Sequence, residues 1–75
     1  MKKYYYIPQR GERITLIGER NRAVVTSVTG LLVEGVIEHH EWDEKDGVTR
    51  DWTEPFAATL ERIEPPVYFK QVYDA

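Results

Sequence analysis

The chain has 75 residues, 41% of them hydrophobic and 31% charged, a composition that suits one globular domain and excludes two, since each independent core takes roughly 100 residues. Cysteine is absent, which excludes a disulfide framework, a thiolate metal site and a cysteine nucleophile. The net charge of -3 hides a division: residues 1–33 hold six basic and two acidic side chains, and the rest hold four basic and eleven acidic ones.

No apolar run approaches the ~20 residues that span a bilayer, and the opening Lys2, Lys3, Tyr4, Tyr5, Tyr6 lacks the apolar stretch of a secretory signal, so a soluble, cytoplasmic protein without membrane association is expected. Residues 3–7 read as a terminal strand with Tyr5 inward. Arg13 to Ile17 and Ala23 to Thr29 are rich in β-branched residues and predict two strands, with Ile14 and Leu16 on one face of the first and Val24 and Val28 set among polar neighbours in the second. Gly18 to Arg22 supplies a polar turn between them.

From Leu31 to Asp43 a long strand is expected, with Leu31, Val33, Gly35 and Ile37 facing the core and Glu34, Glu38, His40 and Trp42 on the other side. Gly35 suggests a bulge or sharp bend within it. Lys45-Asp46-Gly47 predicts a three-residue hairpin loop with Gly47 left-handed, which sets His40 opposite Trp52 and Trp42 opposite Arg50. One face then carries His40, Trp42, Arg50 and Trp52. A two-residue Asp46-Gly47 loop is the rival and puts the two Trp rings on opposite faces. Pro55 ends the returning strand or confines it to an edge. Phe56 to Leu60 reads as a single 3-10 turn, Leu60 to Ile63 as a short strand, and the alternating residues 67–73, after Pro65-Pro66, as a last strand beside Tyr4 to Ile7.

The expected fold is therefore all-β: one domain over residues 1–75, with a small barrel of about five short strands and one 3-10 turn over about 10–64, and terminal strand segments at 3–7 and 67–73. Gly11 to Gly18 followed by Ala23-Val24-Val25 resembles the opening of KOW-type and photosystem I accessory-subunit barrels, although Ala23 stands where the KOW pattern has a loop Gly. Pro55 to Ile63 is similar to the closing turn and strand of plasmid-type dihydrofolate reductase barrels. Their Val-Gln-Ile-Tyr strand has no counterpart here. What the resemblance implies is an SH3-like barrel, which does not by itself define a function.

Adjacent His39 and His40 lie between acidic residues, but neighbours on a strand point to opposite faces, so no metal site is expected. The carboxylates from Glu41 to Asp51 sit at a hairpin end rather than in an apolar cleft, and no phosphate cradle or nucleophile elbow is present, so neither catalysis nor a cofactor is expected. The aromatics are the strongest lead. His40, Trp42, Arg50 and Trp52 on one face would form a stacking and cation–π surface for a larger protein partner, against the alternative that both Trp rings cap a small core. A second reading is a nucleic-acid-binding barrel using Lys2, Lys3, Tyr4, Tyr6, Arg10, Arg13, Arg20 and Arg22. A third makes the acidic second half an imitation of nucleic acid. The chain is expected as a monomer or a weak homodimer through edge strands.

Overall fold

The computed structural model describes residues 4–73. In chain order it contains β1 (Arg13–Thr15), β2 (Arg22–Thr29), β3 (Leu32–Asp43), β4 (Val48–Thr59), a 3-10 turn (Leu60–Arg62) and the helix α1 (Val67–Tyr73). The four strands form one antiparallel sheet in the order β1-β2-β3-β4. The mostly-β expectation holds at that level. Among the described residues no helix is long and apolar enough to cross a membrane.

Strand alternation sends Ile14 and Leu16, Ala23 and Val25, Val33 and Ile37, and Ala58 to one face, where Leu60 and Ile63 close over them as the core. Tyr5, Tyr6, Val28 and Phe56 pack against this cluster. In β2 the inward residues are thus Ala23 and Val25. The register with β3 shifts between Val25 and Ser27, and the extra residue Thr26 reverses the parity so that Val28 rejoins the core side. The bulge therefore lies in β2, opposite Gly35, and not in β3 itself. Gly35 is needed for another reason: the Val24 backbone and the Phe56 ring approach it too closely for a side chain.

Two C-terminal expectations are corrected. Phe56 to Thr59 continues β4, and the 3-10 turn falls at Leu60–Arg62. Instead of a fifth strand at Leu60 to Ile63, Ile63 makes a single antiparallel bridge with Leu16. Its neighbours complete the contact: the Ile17 amide donates to the Arg62 carbonyl at 2.7 Å and the Glu64 amide to the Thr15 carbonyl at 2.8 Å. Residues 62–64 thus cover the outer edge of β1.

The second correction concerns residues 67–73, which form a helix and not a strand, while Tyr4 to Ile7 lies outside any strand. Prolines set the helical φ in advance at a helix start, and here the Pro66 carbonyl accepts the first amides, from Phe69 at 3.0 Å and Lys70 at 3.2 Å. Helical spacing then brings Phe69 against Tyr73, with ring centroids 4.5 Å apart and planes tilted by 39°. A seven-residue helix with no buried residue has little stability of its own. It is held by the N-terminal tyrosines: Tyr4 meets Tyr73 at 4.9 Å, and Tyr6 meets Phe69 edge-on at 5.6 Å. Lys70 also pairs with Glu64.

β3 and β4 outrun the rest of the sheet. β2 pairs with β3 only from Leu32 to Ile37, whereas β4 pairs with β3 all the way to Asp43. Beyond Ile37 the two strands continue as a two-stranded arm. The Cα radius of gyration is 14.8 Å, against about 11 Å for a compact chain of this length, and the longest dimension is 53 Å.

Candidate functional site: the projecting arm

The arm's geometry starts at its turn. Asp43 organises it: its Oδ1 accepts from the amides of Lys45 at 3.0 Å and Asp46 at 3.2 Å, and its carbonyl accepts from Gly47 at 2.8 Å. An aspartate that captures the amides two and three residues ahead is an Asx-type turn starter. The loop is consequently the four residues Glu44 to Gly47, closed by Asp43 opposite Val48. Gly47 has φ +65°, the left-handed conformation expected of it.

This register differs by one residue from a three-residue loop, and one residue exchanges the faces. His39 lies opposite Trp52, Glu41 opposite Arg50, His40 opposite Asp51 and Trp42 opposite Thr49. The single face predicted to gather His40, Trp42, Arg50 and Trp52 is therefore not formed. His40 and Trp42 lie on the outer face, and Arg50 and Trp52 on the face that continues the core side. The two indoles do point apart, as the rival two-residue loop required, but through a four-residue loop that neither expectation contained. Both rings are solvent-exposed, Trp42 at 60% and Trp52 at 46%, so neither caps the core.

On the core-side face a network forms around His39, a residue that sequence reasoning weighed only as a metal ligand. Its ring stacks on Trp52 with centroids 5.0 Å apart and planes 10° from parallel. Its Nδ1 lies 3.1 Å from Asn21 Nδ2 and its Nε2 2.9 Å from Glu54 Oε2. A neutral imidazole protonated at Nε2 satisfies both, accepting from the Asn21 amide and donating to Glu54. Farther out, Arg50 turns to Asp43 at 2.9 Å and Asp46 at 3.5 Å, which fastens the strand to the turn. On the outer face His40 Nδ1 sits 2.7 Å from Asp51 Oδ1, and Arg13 bonds Glu38 at 3.1 Å. The signal for the true register was Asp43 itself, placed to cap Lys45 and Asp46.

The two histidines face opposite sides of the ribbon and engage different carboxylates. Among the described residues no group of three or more His, Asp or Glu side chains is placed to hold a metal ion.

The residues of the nucleic-acid reading are divided. Lys2 and Lys3 lie outside the described residues, and Arg10 is exposed in the loop before β1. Arg13, Arg20 and Arg22 line one open groove with Asn21, Glu38 and His40. Tyr4 and Tyr6 are turned to α1, and the Tyr6 hydroxyl donates to Glu12. Burial raises the Tyr6 phenol well above its ordinary value, and the hydrogen bonds and charges at Glu12 and Tyr68 push it the same way.

Charge follows the same division as shape. Residues 38–54 carry seven carboxylates against Lys45 and Arg50, five negative charges net, so the rest of the chain is net positive by two. Compared with known protein families, curated proteins and solved structures, the chain matches none.

Proposed function

We infer that this chain is a non-enzymatic docking module whose arm engages a larger protein. The observation that carries the reading is the pair of exposed Trp rings on opposite faces of a ribbon that projects past the sheet. Large exposed aromatic rings are the side chains that most often dominate binding energy once a partner excludes water from them. Because they face both ways, the fitting partner has a cleft that receives the arm rather than a flat surface that covers one side. Five net negative charges on the arm suit a cleft with basic walls and repel phosphates, which favours protein over nucleic acid. If that cleft is itself a nucleic-acid site, the acidic arm acts as an imitation of the nucleic acid. For the scaffold, the 3-10 turn and the Leu16–Ile63 bridge support an opened SH3-like barrel, with residues 62–64 in the place of a closing strand.

The test is capture from the native host with the wild-type chain and the Trp42→Ala and Trp52→Ala variants, followed by titration of the purified captured protein. Each variant should weaken binding by about thirtyfold or more, while the chain stays folded, with the melting temperature unchanged for Trp42→Ala and slightly lowered for Trp52→Ala, which loses the His39 stack, since neither ring is in the core. Full binding by both variants would remove the docking reading. Selective retention of single-stranded nucleic acid, weakening steeply with salt and reduced by Arg20→Ala with Arg22→Ala, would support the arginine groove instead.

A further inference from the structure

Among the described residues β4 is the last strand of the sheet, and over its twelve residues it pairs only with β3. Which of its backbone groups face outward follows from the hydrogen bonds of Val25. The Val25 amide donates to Glu12 and its carbonyl accepts from Gly11, so both turn away from β3. Val25 and Gly35 are thus a non-hydrogen-bonded pair, and the groups of Gly35 turn the other way, to Phe56. Alternation along β4 then directs Val48, Arg50, Trp52, Glu54 and Phe56 inward to β3, and Thr49, Asp51 and Thr53 outward to the open edge. Pro55 falls in the outward set, where a residue without an N–H costs the ladder nothing.

We propose that two copies of this chain pair antiparallel along β4, with Trp52 on the two-fold axis. In that register Trp52 meets the partner's Trp52 at a non-hydrogen-bonded position, where side chains on paired strands lie closest. The positions beside the axis are complementary, whereas Thr49 faces the partner's Pro55, which has no amide to donate, so that pair keeps one ladder bond of two. Arg50 faces the partner's Glu54, and by symmetry the ion pair forms twice. Asp51 faces the partner's Thr53 and exchanges backbone hydrogen bonds with it. Val48 faces the partner's Phe56, apolar against apolar.

The neighbouring registers fail on charge. Centring on Asp51 sets that carboxylate against its own copy, and centring on Thr53 puts Trp52 against the partner's Glu54 and leaves Arg50 without an acid. The free margin of β3 in the arm, Glu38 to Asp43, carries three carboxylates and repels its copy. Arg50 and Glu54 are about two-thirds exposed; Arg50 is held by surface ion pairs to Asp43 and Asp46, worth ~0–1 kcal/mol each, and Glu54 by one exposed hydrogen bond from His39, so re-partnering them costs little. The dimer would bury Trp52 between the His39 rings already stacked on it and leave Trp42 on the opposite face.

The inference needs no docking partner, and its test uses the purified chain alone. Sedimentation equilibrium up to about 1 mM, the concentration range of weak association, should show a monomer–dimer equilibrium for the wild type. Arg50→Glu and Glu54→Arg should each weaken it by about tenfold or more, because each sets like charges across the axis twice. The double exchange should restore it, with NMR contacts across β3 and β4 confirming that the arm is intact in every variant. Thr53→Pro, which removes an outward amide only, should abolish the dimer. A wild type that stays monomeric throughout, or a dimer that the charge exchanges leave unchanged, overturns the proposal.

Discussion

A β-carbon built on Gly35 would lie 2.1 Å from the Val24 carbonyl oxygen and 2.8 Å from the Phe56 ring, and backbone cannot yield as a flexible side chain can. Gly35→Ala should therefore cost about 3 kcal/mol of unfolding free energy. Gly47→Ala, at φ +65° with open space around it, should cost about 1 kcal/mol from left-handed strain alone. Urea midpoints of the two variants measure the difference, and equal losses would disprove the crowding at Gly35. Tyr6 makes a claim about pH. Its phenol is raised above the ordinary 10.0 in the fold, so its contribution is complete below pH 10.0 and is lost as pH rises from there toward the folded value. Tyr6→Phe should flatten that alkaline loss, read as unfolding free energy against pH for both chains. Gly35 was visible in the sequence as a special position, but its partners across the sheet, which decide the reason, were not.

Among the elements, the arm and the sheet body should differ most in dynamics. A two-stranded ribbon has marginal stability alone, and beyond Ile37 it is reinforced by surface contacts, those of His39 and Arg50, His40 with Asp51, Arg13 with Glu38, and the turn, rather than by core packing. In dilute solution, amide exchange at Glu41 and Arg50 should run orders of magnitude faster than at Val33 and Gly35, whose groups sit between paired strands over the core. Similar protection at all four sites would show that the arm opens only with the whole domain. The strands themselves were legible because β-branched residues and alternation are local signals. The hairpin register was not, because the residues nearest the turn are polar on both faces, and the features that separate the two registers are the Asp43 carboxylate and the core-side parity of Phe56 and Ala58 far along the returning strand. Residues 67–73 were misread for a related reason. Their alternation fits a strand, while the helix depends on ring contacts to Tyr4 and Tyr6 from the far end of the chain.

For the whole molecule, the division of charge along the sequence turns out to be a division along its length. Seven of the thirteen acidic residues lie on the ribbon of a body 53 Å long, and Arg13, Arg20 and Arg22 sit where the ribbon leaves the sheet. Sequence halves alone do not give this arrangement; it arises because β3 and β4 continue past β2. The Leu16–Ile63 bridge sets a different limit at the opposite flank. With β1 already occupied by the chain's own residues 62–64, a third copy finds no strand there to extend. Growth of the sheet by repeated addition is blocked on that side, so concentrated protein should keep a finite, soluble assembly instead of elongating into filaments.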